Sequence, residues 1–265
     1  MAELGVRVGI IGAGALGGAL IDRLLASGSF RPTDIVACEP KEARREEIGG
    51  RFGVKVTADP GEAAACDIVV LAAPPLEIRK ILQTISGRLA QNSIVISFAG
   101  AVPISILEAA LLSRVSVVRA NPNSATIVGA GYNPVVYGSG VTDAARARAE
   151  EFLALLGRSP EVPDADMNLY TALTAVGPTY FLPVFDAMIS AGIAGGLSRT
   201  TAIAAAVETA RGTAEMITKR LETPEQLKLF TGLRPLDDSA VRELVGKAIS
   251  DALSRMESVQ KQTTS

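Results

Sequence analysis

The chain has 265 residues, 26 basic and 28 acidic side chains for a net charge of −2, 48% apolar residues, and no histidine or tryptophan. That apolar content is enough for a full core in one large or two small domains and argues against disorder; the balanced charge argues against a duplex nucleic-acid surface. Without histidine there is no Ser-His-Asp triad, no Cys-His pair, no His-ligated zinc and no His general base, so acid-base work falls to Lys, Tyr, Asp, Glu, Cys, solvent or the substrate.

The N-terminus lacks the basic n-region of a signal peptide. From there short Val/Ile-rich runs alternate with amphipathic stretches. Strands are predicted at Val6–Ile11, Ile35–Cys38, Asp67–Ala72, Ser93–Ser97 and Val115–Arg119, nearly continuous in apolar residues, as strands buried on both faces should be. Helices are predicted between them at Ala15–Ala26, Lys41–Phe52, Leu76–Leu89 and Ile104–Leu112. A turn-rich loop at Asn121–Tyr132 and a helix at Asp143–Leu156 follow. This alternation implies an α/β fold with a Rossmann-type doubly wound parallel sheet. Cys38 and Cys66 sit beside apolar runs and are expected to be reduced and buried, which fits a cytoplasmic protein.

After Gly157 the pattern changes. Pro160-Glu161-Val162-Pro163 reads as a connector. Beyond it the chain is helical, at Ala165–Ile193, Ser198–Leu221 with Ser198 as N-cap, Thr223–Thr231 and Asp237–Gln260, with a frayed tail. The predicted domains are 1–157, which binds a dinucleotide, and 158–265, all-helical. Leu173–Leu197 carries a single charge, Asp186, over 25 residues. It is long enough to span a bilayer, but Pro178, Pro183 and the Gly192, Gly195 and Gly196 cluster interrupt it. No aromatic and basic flanks anchor it. It reads instead as a helix apolar all round, buried by another subunit.

Gly12-Ala13-Gly14-Ala15-Leu16-Gly17 is a G-x-G-x-x-G between a predicted strand and helix, the context in which that motif binds a dinucleotide. Gly12 permits the tight turn, Gly14 a close approach of the pyrophosphate and Gly17 helix–sheet packing, while the helix N-terminus offers amides to the phosphates. The second strand ends at Glu39, 22 residues after Gly17. An acid there accepts the ribose hydroxyls of NAD and repels a 2′-phosphate, whereas Lys41, Arg44 and Arg45 could hold one. The cofactor is thus NAD or NADP, with NADH slightly preferred. Ala72, Ala73 and Pro74, and Ala99 after the next strand, are small residues at the carboxyl edge where the cofactor should lie. No metal site is expected. Asn123 and Ser124, in Arg119-Ala120-Asn121-Pro122-Asn123-Ser124-Ala125, should sit near the nicotinamide, or serve only an Asx-turn. Gly177 and Pro178, within Thr171–Tyr180, should break a helix and free backbone groups.

These motifs, with Leu71-Ala72-Ala73-Pro74-Pro75, Val128-Gly129-Ala130-Gly131 and Gly195-Gly196-Leu197-Ser198-Arg199, make the chain resemble the pyrroline-5-carboxylate reductases over nearly its whole length. That resemblance implies reduction of a five-membered cyclic imine acid to proline with NADH or NADPH. It also implies helical domains that interleave in homodimers or higher homo-oligomers. The family's Met-Pro-Asn-Thr-Pro is here Asn-Pro-Asn-Ser-Ala, its Gly-Ser-Gly-Pro-Ala-Tyr is Ala175-Val176-Gly177-Pro178-Thr179-Tyr180, and an adenosine-contacting Asn is Pro60. Its Gly-Gly-Thr substrate loop is replaced by the shorter Leu229-Phe230-Thr231-Gly232-Leu233-Arg234-Pro235. The resemblance places Asn123 and Ser124 at the nicotinamide and Thr174, Gly177 and Thr179 on the substrate side, with Thr231 or Arg234 standing in for the carboxylate loop. A cyclic iminium arrives already protonated, so its reduction needs positioning more than a strong acid. Related hydroxyacid dehydrogenases use a helix-borne Lys, which Thr171–Tyr180 lacks; Lys80, Lys219 and Lys228 read as surface positions. The alternatives are another imine, keto or hydroxy acid as substrate, or a cofactor-binding protein without turnover.

Overall fold

A computed structural model describes residues 5–111, 115–220, 223–227 and 235–264. Strands β1 (Val8–Ile11), β2 (Ile35–Cys38), β3 (Lys55–Thr57), β4 (Ile68–Leu71), β5 (Ile94–Ser97) and β6 (Ser116–Ala120) lie in the order β3-β2-β1-β4-β5-β6, all parallel. The order reverses between β1 and β4, which opens a crevice at their carboxyl ends. The helices are α1 (Ala15–Ala26), α2 (Glu42–Phe52), α3 (Pro60–Ala64), α4 (Pro75–Ile85), α5 (Ile104–Ala110) and α6 (Asp143–Ala154). The period-2 alternation of each strand divides its side chains between two cores. Val8, Ile10, Ile35, Ala37, Ile68, Val70, Ile94 and Ile96 meet Leu20, Leu24 and Phe152 on one face. Ile11, Val36, Val69, Leu71 and Val95 meet Ala63, Ile78, Leu82 and Leu107 on the other. The doubly wound parallel sheet is therefore as predicted.

Three features differ from the sequence reading. The short edge strand β3 and helix α3 lie where no element is predicted. Within the stretch read as a loop, β7 (Gly131–Tyr132) pairs with β9 (Gly157–Arg158). Beside it, β8 (Val135–Tyr137) runs antiparallel against β6. The C-terminal tail is helical and docked, not frayed: α11 (Asp238–Thr264) ends with Thr263 buried. The Thr263 hydroxyl donates to Ala101 O at 2.9 Å, and Arg79 donates to Thr263 O at 3.0 Å. These contacts supply the partners a tail needs to stay ordered.

The chain divides into two compact units, 1–176 with 250–265, and 177–249. The last strand of the alternating region is β9 (Gly157–Arg158). The compact first unit continues to residue 176 because Arg119 holds Asp164, just before α7 (Met167–Tyr170), and Asn121 holds Thr171, in the turn of π-helix after it (Thr171–Ala175). In the second unit α8 (Pro178–Ala194) packs against α9 (Arg199–Arg220), followed by α10 (Pro224–Leu227). Ser198 caps α9 as predicted, its hydroxyl accepting from Thr201 N at 3.1 Å. Within the single chain α8 has no buried residue, and Phe181, Leu182 and Val184 are more than half exposed. By length and composition alone, helix Asp164–Ala194 could cross a membrane.

Candidate functional site

The crevice at the carboxyl ends of β1, β2 and β4 is a cavity of about 590 Å³. Of the predicted cofactor residues, Gly12, Gly14, Glu39, Ala72, Ala73 and Pro74 line it; Ala13, Ala15, Leu16, Gly17, Arg44 and Ala99 do not. The turn between β1 and α1 explains the division. Gly12 has φ +98°, and a Cβ there would lie 2.6 Å from Ala73 N. A Cβ on Gly17 would lie 2.2 Å from Gly12 O. Both positions exclude any side chain. Gly14 is the opposite case: a Cβ there would meet nothing within 4 Å, because it stands before open space. The amides of Gly12 and Ala13 both donate to Cys38 O, at 2.9 and 3.2 Å. The first-turn amides of α1 from Ala15 onward have no preceding carbonyl to pair with. An open cradle, unpaired amides and the positive end of a helix fit the pyrophosphate of a dinucleotide.

Glu39 follows β2 directly and is buried, accepting at Oε1 from Lys41 N at 3.2 Å. Neither neighbouring arginine reaches into the cleft. Arg45 donates to the carbonyls of Glu39 and Pro40 at 2.9 and 2.7 Å. Arg44 donates to those of Ala13 and Gly14 at 3.2 and 3.1 Å. Lys41 and Pro60 do line the cleft, as do Cys38 and Lys80, which sequence reasoning did not place among the cofactor residues. Burial pushes the Cys38 thiol up to about 11, so it is a neutral wall rather than a nucleophile at neutral pH. Pro60 suits its place at the first position of α3, where no amide partner is needed. Among the described residues no cluster of acids and cysteines could hold a metal.

At the end of β6, Asn123 adopts the Asx arrangement, its Oδ1 accepting from Ala125 N at 3.1 Å, and Ser124 is exposed. Asn121 is buried and donates to Thr171 Oγ1 at 2.5 Å, which in turn donates to Met167 O at 2.7 Å. Pro178 brings no N–H to the helix, and the ladder before it widens: Val176 N reaches Thr171 O at 3.1 Å, one residue further than in an α-helix. Thr174 donates to Tyr170 O at 2.8 Å. Gly177 and Thr179 belong to the second unit. Thr231 and Arg234 lie outside the described residues, as does Lys228. Lys80 and Lys219 are exposed, as expected.

Sequence reasoning also missed the role of Arg119, although one arginine in an otherwise apolar strand is a visible signal. Its guanidinium is fully buried and donates to Asp164 Oδ1 and Gly100 O. Burial lowers its pKa, and Asp164 opposes that; the group stays charged. Asp164→Ala would leave that charge without its counter-ion. It is expected to cost about 3 kcal/mol, seen as a lower urea midpoint at unchanged slope. A cost below about 1 kcal/mol would mean that water compensates the arginine.

Residues 7–100 match the family described as NADP oxidoreductase coenzyme F420-dependent, and residues 164–259 match pyrroline-5-carboxylate reductase dimerisation. The pyrroline-5-carboxylate reductase of Corynebacterium melassecola is 30% identical over 96% of this chain and 98% of its own. That of Methanosarcina acetivorans is 28% identical over 96% and 98%. The crystal structure of Plasmodium falciparum pyrroline carboxylate reductase with NADP bound superposes at TM-score 0.84 with 22% identity, covering 98% of this chain and 100% of that one.

Proposed function

The chain belongs to the pyrroline-5-carboxylate reductase family, and from that premise we propose that it reduces 1-pyrroline-5-carboxylate to L-proline with a nicotinamide cofactor. The observation that carries the cofactor half is the Gly12–Gly17 turn, with open space at Gly14 and unpaired amides at the start of α1. In this reading residues 1–157 hold the dinucleotide and residues 158–265 form the substrate and dimerisation domain. The amides of the first α1 turn bind the pyrophosphate, Glu39 accepts from the ribose, and Ala72, Ala73 and Pro74 border the nucleotide. Asn123 and Ser124 position the nicotinamide end. Thr174, Gly177 and Thr179 line the substrate side, and Thr231 or Arg234 receives the carboxylate.

When bound, the reduced cofactor supplies a hydride. The imine carbon accepts it and the C=N π pair moves onto a nitrogen that already carries its proton, so the chain need not supply a strong acid. Its task is to orient two reactants and exclude water, for which a site without histidine suffices. NADH oxidation with 1-pyrroline-5-carboxylate, set beside other cyclic imines and keto acids, tests the proposal. Turnover of pyrroline-5-carboxylate is expected. Turnover of a different imine alone would move the assignment there, a reading supported by Ala175 and Val176 in place of the family's Gly and Ser. Nucleotide binding without turnover of any compound would leave only a binding protein.

NADH is the preferred cofactor in this reading, because Glu39 directly follows β2 at the cleft and the nearest arginines are spent on backbone carbonyls. Glu39→Ser is expected to move the ratio of kcat/KM for NADH over NADPH at least tenfold toward NADPH, about 1.4 kcal/mol. An unchanged ratio would remove Glu39 from the ribose. The protein works in the cytoplasm, consistent with two free, buried cysteines, as a homodimer or larger homo-oligomer joined through α8.

A further inference from the structure

Arg44 is one of three basic residues placed in sequence to hold a 2′-phosphate, yet its side chain goes elsewhere. It leaves α2, crosses the first turn of α1 and donates from Nε to Ala13 O at 3.2 Å and from Nη2 to Gly14 O at 3.1 Å. Its third nitrogen, Nη1, pairs with Glu47 Oε1 at 2.5 Å. The guanidinium thereby grips the carbonyl side of the glycine turn. From the other direction, the amides of Gly12 and Ala13 are held by Cys38 O. The turn is clamped at its carbonyls by one charged fork and at its first two amides by one carbonyl.

A second observation shows that α1 makes room for this grip. Gly18 lies inside α1, where glycine costs helix stability relative to alanine. A Cβ at Gly18 would lie 2.8 Å from Arg44 Nη2, with no other atom closer than 4.0 Å. The absent side chain is the space the guanidinium occupies.

We propose that Arg44 is a positioning residue for the pyrophosphate turn, acting on the part common to NADH and NADPH and not on the 2′-phosphate. The inference rests on the nucleotide-binding reading above. By tying down the carbonyls of Ala13 and Gly14, Arg44 holds the following amides toward the cleft. Its positive charge lies on the turn that meets the phosphates.

The test measures Kd for NADH and NADPH by fluorescence titration of the full-length protein. Arg44→Gln is expected to weaken both about tenfold, with their ratio unchanged within about twofold, and with kcat at saturating cofactor little altered. Arg44→Lys, which keeps the charge but loses the fork, should fall between. Gly18→Ala supplies an independent arm. The added methyl displaces the end of a flexible side chain while improving the helix, so Tm should hold or rise as both nucleotide affinities fall several-fold. A purely structural role would move stability and affinity in the same direction. Selective loss of NADPH in Arg44→Gln would restore the 2′-phosphate role and overturn the proposal. Unchanged affinity for both nucleotides in either the Arg44→Gln or the Gly18→Ala protein would overturn it too. Parent protein that binds neither nucleotide would instead sink the nucleotide reading itself.

Discussion

Gly14→Val is expected to abolish nucleotide binding in a protein that remains folded, whereas Gly12→Val is expected to lose both binding and stability. The two glycines are two residues apart, but the space around them differs. Gly14 has φ −68°, outside the left-handed region, and a Cβ there meets nothing within 4 Å. Valine there forfeits only a favourable N-cap, about 1 kcal/mol, so Tm should fall by no more than about 4 °C. Its methyls would stand where a pyrophosphate must approach the backbone. NADH affinity should drop at least about a hundredfold, close to 2.7 kcal/mol. Gly12 has φ +98°, where valine is strained, and its Cβ would strike the backbone of Ala72 and Ala73. The clash is with the chain leaving the central strand β4, so relief requires moving the sheet, and a loss above about 3 kcal/mol is expected. Titration with NADH and calorimetry on both variants separate the cases. Gly14→Val protein that binds NADH as the parent does would place the pyrophosphate somewhere other than this turn.

That contrast marks what the sequence makes legible. A glycine at the end of a buried strand announces a tight turn, and the helix after it is predicted to the residue at Ala15–Ala26. These are local patterns, set by neighbours in the chain. The destination of a long side chain is not local. Arg44 and Arg45 look alike beside Glu39, and only the crossing of α2 over α1 sends one to Gly14 O and the other to Pro40 O. The edge strand β3 is only three residues long and half exposed, so its sequence carries no apolar run. Asn133 and Pro134 advertise a turn and hide the strand β8 that follows them. Thr263, in a polar tail whose composition suggests fraying, is ordered because Ala101 O and Arg79 lie where it arrives. Each miss is a tertiary contact overriding a local signal.

Helix α8 is legible in a different sense, because its composition predicts burial that its own chain does not supply. Leu182→Asp is expected to convert the protein into a monomer that still binds NADH but no longer reduces imine. Phe181, Leu182 and Val184 are exposed by more than half in the single chain, and apolar surface of that extent on one helix calls for a partner. In a two-fold symmetric interface each substitution occurs twice. Each replaces a leucine whose burial stabilises by about 1.5–3 kcal/mol with a carboxylate that must be desolvated. The loss is large enough to dissociate a dimer at micromolar concentration. NADH binding should survive within about threefold, since every residue lining the cleft lies between Ile11 and Thr84 in the first unit. Imine turnover should fall at least about a hundredfold if the helical domain of a second chain completes the substrate side. Sedimentation velocity, NADH titration and turnover on the same preparation read the three effects. Leu182→Asp protein that stays dimeric would remove α8 from the interface. A monomer with full activity would show that one chain builds the whole site.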